Sequence, residues 1–154
     1  MRTSLPLFAA TAFLICGCAS NPTFPLVKPV PDTQSQLIVY RESSFIAGGV
    51  GLTVGTNNRA FATVSNGDKV AVMLPAGEHE VYVQARSAEP TKVKIKLTQG
   101  STICMRTSSS SSTLAKLVIP VLLIATGYHF YLDEVPCPSS TELGKYGETP
   151  VTYQ

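Results

Sequence analysis

Two histidines, His79 and His129, are the side chains of this chain best suited to proton transfer or metal binding. His79 stands between Glu78 and Glu80 where a turn gives way to a strand. It could serve as a base or a ligand, and its simpler reading is a polar side chain capping the strand start. His129 lies among Tyr128, Phe130 and Tyr131 and reads as a satisfied residue of an aromatic strand. A hydrolase would need one of these imidazoles to meet a nucleophile in a cleft. Asp133-Glu134 is the only adjacent acidic pair. Neighbours on a strand face opposite sides, so the pair cannot flank one bond as glycosidase carboxylates do. Asp68 reads as a turn residue. The run Gly48-Gly49-Val50-Gly51 precedes no helical pattern, so it reads as a bent loop or bulge rather than a phosphate cradle. No Gly-x-Ser-x-Gly, Walker or His-Glu-x-x-His motif occurs. Lys92, Lys94 and Lys96 alternate along one strand, and three ammonium groups on one face could meet lipid phosphates or another anionic surface. The plainer reading is a solvated face that blocks edge aggregation. No catalytic residue, metal site or cofactor is expected, and the chain is read as a non-enzyme.

The first residues give an address. Arg2 is a short positive start, residues 5–15 are largely apolar, and Gly17-Cys18 follows at once. The run is too short to span a bilayer and no stop-transfer charges follow it, which marks a secretion signal. Ile15, Gly17 and Cys18 resemble the lipobox of bacterial lipoproteins. That resemblance implies cleavage before Cys18 and acylation of its thiol and new amino terminus. Ala19, rather than Asp, after the cysteine implies sorting to the outer membrane. Removing residues 1–17 from 154 leaves 137, enough for one ordinary domain. Loss of Arg2 lowers the formal charge from +2 to about +1, and no block of like charges remains. Nucleic-acid binding, which needs a concentrated basic footprint, is not expected.

Of the four cysteines, Cys16 leaves with the signal and Cys18 takes the lipid. Cys104 and Cys137 remain, an even pair in an oxidising compartment, and are expected to form a disulfide; two buried free thiols are the alternative. The bridge would contribute roughly 3–4 kcal/mol by loop closure. Cys104 alternates with Ile103 and Met105, so it falls on the face opposite the core. A bridge there would staple the chain after the last strand across the outside of the sheet.

Residues 18–35 read as a tether: Pro22, Pro25, Pro29 and Pro31 favour extended polyproline II, with a reach on the order of 50 Å. From Gln36 the period becomes two. Strands are expected over 37–40, 51–55, 59–64, 69–74, 79–86, 91–97 and 101–107. Asn57-Asn58, Ser65-Asn66-Gly67-Asp68, Pro75-Ala76-Gly77-Glu78 and Gln99-Gly100 supply turns, the second a strong hairpin signal. The expected fold is all-β, a small antiparallel sandwich in which sequence neighbours pair as a meander or Greek key.

Val39-Tyr40-Arg41 on the first strand, then Leu74-Pro75-Ala76-Gly77-Glu78-His79 opening another, resemble uncharacterised bacterial lipoproteins with a Pro-x-Gly-x-His motif. Residues 74–100 are also similar to a PEGA-type surface domain. The resemblance covers roughly residues 37–107 and implies a transthyretin-like or immunoglobulin-like sandwich with no defined catalytic residue.

Beyond it, residues 108–112 are five serines, a flexible linker or a helix cap. Residues 113–126 are almost entirely apolar, with Lys116 the only charge. The window 114–132 would be about 28 Å long as a helix, just short of the ~30 Å hydrocarbon core. Pro120 is tolerated in a membrane helix better than in a soluble one. Three readings stand: an apolar helix covering the sandwich followed by a final strand at 128–135, a second membrane anchor, and a surface for a partner. The chain thus divides into a signal (1–17), a lipidated tether (18–35), a β-sandwich (36–107), a linker with apolar helix and final strand (108–135), and a tail (136–154). The expected function is a periplasm-facing envelope lipoprotein with a binding or scaffolding role. The alternative is an accessory subunit of a secretion or transport assembly, contacting a membrane partner through 114–132. Neither reading fixes an oligomeric state.

Overall fold

A computed structural model describes residues 34–45, 47–86, 88–109 and 129–152. The signal, Cys18, the tether and most of the apolar run lie outside these residues. The strands are β1 (Gln34–Arg41), β2 (Leu52–Thr56), β3 (Arg59–Val64), β4 (Asp68–Pro75), β5 (Gly77–Ala85), β6 (Thr91–Leu97), β7 (Thr102–Ser109), β8 (Phe130–Val135) and β9 (Gly147–Glu148). A single helical turn, α1 (Ser140–Leu143), precedes β9.

These strands make an all-β sandwich of two sheets, ordered β8-β7-β1-β4-β9 and β3-β2-β5-β6. Period-two patterning builds the layer between them. Leu37 and Val39 of β1, Val70 and Val72 of β4, Val54 of β2 and Val81 and Val83 of β5 point into one core, each with at most 3% of its surface exposed. On β6, Ile95 and Leu97 are buried while Lys92, Lys94 and Lys96 are exposed. That is the alternation of a sheet dry on one face.

The topology is less local than a meander. β1 pairs with β4 antiparallel and with β7 parallel, and β9 joins β4 parallel. The Ser65–Asp68 turn is therefore not a hairpin. It forms, with Gly67 at φ 78° and the Asp68 amide donating to Ser65 O at 3.2 Å, but it carries the chain from β3 in one sheet to β4 in the other. A tight turn reverses the chain; it does not choose the sheet. That choice follows from which faces the flanking strands must bury. Pro75–Gly77 is likewise a corner between sheets. The true two-residue hairpin is β2–β3, where Asn57 and Asn58 both have positive φ, 48° and 64°, as a type I′ turn requires.

Strand β8 realises the expected final strand, with Phe130 and Leu132 in the core. A single helix over 114–132 is thereby excluded, because its last three residues are sheet. No helix among the described residues is long and apolar enough to cross a membrane. The stretch past Val135 is more than a tail: Leu143 is buried on the outer face of the five-stranded sheet, beside Ile38, Tyr40 and Cys104.

Candidate functional site

The outer face of the five-stranded sheet carries most of the molecule's unusual polar chemistry. Odd positions of β1 face the core, so Ile38 and Tyr40 face outward, next to Cys104 of β7 and Lys69 of β4. Register aligns Asp133, Arg106, Tyr40, Lys69 and Glu148 in one row across the sheet. Over this row lies a strap, residues 136–148, fixed at three points.

The first is covalent. Cys104 and Cys137 form the expected disulfide, with Cα atoms 5.0 Å apart. Cys104 is buried on the face opposite the core, so the bridge staples the chain after β8 across the outside of the sheet, as the alternation of residues 103–105 implies. The second is Lys69, only 5% exposed. Its Nζ donates to Leu143 O at 2.9 Å, a helix-end carbonyl that also accepts from the Tyr146 amide, and to Tyr146 O at 3.1 Å, and it lies 3.4 Å from a Glu148 carboxylate oxygen. The third is α1 itself, closed by a capping box. Ser139 Oγ accepts from the Glu142 amide at 3.3 Å, and the Glu142 carboxylate accepts from the Ser139 amide at 3.1 Å. These bonds hold the Glu142 carboxyl below its ordinary pKa.

Between strap and sheet opens a groove of about 500 Å³. Tyr40, Tyr146, Glu42, Glu142 and Lys145 line it. The two tyrosine rings sit 5.1 Å apart at 59°, an arrangement favoured by ring quadrupoles. Burial raises both phenol pKa values, Arg106 opposing and Glu42 reinforcing, so both hydroxyls stay protonated donors well above neutral pH. Arg106 lies 3.7 Å from Glu42. Such a wall of phenols, carboxylates and cations can hold a polar ligand by directional bonds.

The second built feature is Arg41, whose side chain turns into the core at the end of β1 and is 2% exposed. It donates to the carbonyls of Val50 and of Ala47, the latter at 2.6 Å, and its guanidinium lies 5.0 Å from the Phe130 ring centre. Burial lowers its pKa, and the Asp68 charge offsets part of that. Ala47 has a φ of 57°, and a Cβ on Gly48 would stand 2.9 Å from Ser44 O. The glycine-rich run is thus a bent loop, clamped by Arg41 and by Asn66 Oδ1, which accepts from the Ser44 amide at 2.9 Å.

The remaining sequence candidates are dispersed. His79 is buried on the core side of β5, where its Nε2–H donates to Pro75 O at 2.9 Å and its Nδ1 accepts from Asn57 Nδ2 at 3.3 Å. Both ring nitrogens hold the corner against the hairpin tip. His129 is exposed just before β8. Asp133 and Glu134 occupy successive positions of β8, opposite Arg106 and Met105. Among the described residues no group of three His, Cys, Asp or Glu side chains could hold a metal. The three lysines line the exposed face of β6, an edge strand, as their spacing implies. Register sets Lys94 opposite Glu80 and Lys96 opposite Glu78, while Lys92 binds Glu80 at 2.8 Å.

Arg41, Lys69 and Tyr146 were not legible as functional from the chain. The available signal was a cation inside a β run, in Tyr40-Arg41 and Asp68-Lys69-Val70. A search of protein-family models and of curated proteins found no match to this chain.

Proposed function

We propose that this protein is a bacterial envelope lipoprotein, anchored through Cys18, facing the periplasm and serving a non-enzymatic binding or scaffolding role. One observation carries this reading: the Cys104–Cys137 bridge, a chemistry suited to an oxidising compartment, in a chain whose start resembles a lipobox. The two features are independent, since one lies in the signal and the other in the folded domain. The resemblance to Pro-x-Gly-x-His lipoproteins and PEGA-type domains fits the same reading, as does Ala19 an outer-membrane address. The groove under the strap, rich in phenol and carboxylate groups, is the surface we assign to ligand or partner binding.

The test is fractionation with and without acylation. Wild-type protein should sediment with outer membranes and take up labelled palmitate, while Cys18→Ser should take up none. Palmitate incorporation into Cys18→Ser, or its absence from the wild type, would overturn the assignment.

A second reading has its own support. Ser109 and Phe130 are paired neighbours in the sheet, so the chain between them leaves and re-enters the sandwich at one place. Its apolar composition suits an accessory subunit of a secretion or transport assembly, contacting a membrane partner through what remains of the window 114–132. A photoreactive residue at Leu122 should then crosslink in cells to one stoichiometric protein.

A further inference from the structure

The two halves of the Cys104–Cys137 bridge differ in access. Cys104 is 1% exposed and packs with Ile38, Tyr40 and Leu143 between sheet and strap. Cys137 is exposed. It stands in an open cleft of about 410 Å³ where β7 starts and β8 ends, lined also by Thr102, Ile103, Glu134 and Pro136. A thiolate breaks a disulfide by striking one sulfur and expelling the other, so access decides which sulfur is struck. Here the half that faces water is Cys137. Bridges exposed in this way are the labile ones, whereas fully enclosed bridges resist reduction.

The bridge also decides how firmly the strap lies down. Lys69 grips the later part of the strap, through Leu143 O, Tyr146 O and Glu148. Leu143 is the one buried residue of 136–148, and β9 adds a two-residue pairing beyond it. Before Leu143, α1 is a single turn, too short to persist without tertiary contacts. From the end of β8 to Leu143, the bridge is what ties the chain to the sheet. Four of the eight residues lining the groove, Pro138, Glu142, Lys145 and Tyr146, belong to the strap. Lifting it removes one wall of the groove. It leaves the main core closed, because the cluster around Cys104 is separate from the core between the sheets.

We infer that the Cys104–Cys137 bridge is a redox latch on the groove, closed at rest and opened by a dithiol oxidoreductase that attacks Cys137 Sγ. The inference rests on the reading of the groove as a binding surface and names its regulation. The partner's thiolate bonds to Cys137 Sγ as the Cys104–Cys137 bond breaks, and Cys104 leaves as a thiolate that takes a proton from solvent. The partner's second thiol, losing its proton, attacks the partner's own sulfur in this mixed disulfide. Cys137 departs as a thiolate and is protonated in turn. The bridge gains two electrons and two protons, and the partner passes from dithiol to disulfide. Glu134 is the one charged residue lining the cleft, which favours a partner with positive charge beside its thiol.

The probe is cysteamine, a small cationic thiol, added without denaturant to the full-length acylated protein in detergent. Acid quenching and peptide mapping locate the adduct. Cysteamine should be found on Cys137 in preference to Cys104 by about tenfold or more. Equal labelling, a preference for Cys104, or exchange that occurs only in urea overturns the inference. A second arm reduces the bridge with dithiothreitol and caps both thiols with iodoacetamide. Acetylation of Tyr40 by N-acetylimidazole should then rise several-fold over the bridged protein, in which this residue is 5% exposed. Hydrogen exchange in β2 and β5 should stay slow. A Tyr40 that remains as protected as before overturns the latch, and so does loss of protection throughout the sandwich, since the bridge would then be a staple of the whole fold. Neither readout uses a groove ligand. A groove that binds nothing would end the binding reading while leaving the attack on Cys137 and the lifting of the strap as measured.

Discussion

Single residues carry unequal weight in this fold, and burial sorts them. Lys69 holds two carbonyls of the strap from a site closed to water. Lys69→Met should therefore lower unfolding free energy by about 2–4 kcal/mol, read by urea denaturation, because it strands those acceptors and the partly exposed Glu148. The lysines of β6 are the opposite case. Replacing Lys92, Lys94 and Lys96 together by Gln should change stability by less than ~1 kcal/mol, since exposed pairs contribute little. If the face serves anionic surfaces, the same variant will lose binding to anionic vesicles while remaining folded. The tyrosine pair adds a pH signature. Burial raises the Tyr40 and Tyr146 pKa values above the ordinary 10.0, so folding favours their protonated forms. That contribution is full below about pH 10 and is lost as pH rises through the folded-state values. Stability should fall in alkali more steeply in the wild type than in Tyr40→Phe/Tyr146→Phe, measured by denaturation across that range. Neither tyrosine announced itself in the sequence. A strand tyrosine is ordinarily core, and Tyr146 gained meaning only when the strap returned it to Tyr40.

At the scale of elements, local chemistry was readable and choice of partner was not. Alternation in residues 91–97 and 79–86 located β5 and β6, and Asn57-Asn58 located a genuine type I′ hairpin. The Ser65–Asp68 turn carried an equally strong local signal and yet joins two different sheets, because pairing depends on burial across the whole sandwich. Parallel pairing of β1 with β7 links residues some 66 positions apart, as Gln36↔Thr102, and no local pattern encodes it. The strap was half legible. Cysteine parity gave the bridge and alternation gave its face, but Lys69 and β9 depend on tertiary position. Reduction is the direct probe. Cys104→Ser/Cys137→Ser should cost roughly 2–4 kcal/mol, and hydrogen exchange should rise first in residues 136–148 while β1, β2 and β5 stay protected. Uniform loss of protection would mean that the strap is no separate element. Gly55 tests packing on the other sheet. Its missing Cβ leaves room for the Tyr82 ring and Arg59 O, so Gly55→Val should destabilise by more than 1 kcal/mol, an order-of-magnitude figure for an overpacked site, by thermal melting.

For the whole molecule, two sheets enclose one core and a disulfide-stapled strap covers the outer face of the larger sheet. Lysines line the exposed face of β6, and at the Arg41 end of β1 an exposed phenyl ring, that of Phe45, stands near Glu42, Asp68, Arg86 and Glu89. The strapped outer face offers a polar groove. This arrangement suits a scaffold held near a membrane by a lipid at one end. The claim on which it rests is chemical: Cys18 becomes the acylated first residue. The most direct measurement is the intact mass of the native protein extracted from its membranes. The account predicts a chain beginning at Cys18 that carries a diacylglyceryl group and an amide-linked acyl chain, with Cys104 and Cys137 oxidised. A chain that retains residues 1–17, or starts elsewhere and bears no acyl group, would contradict it.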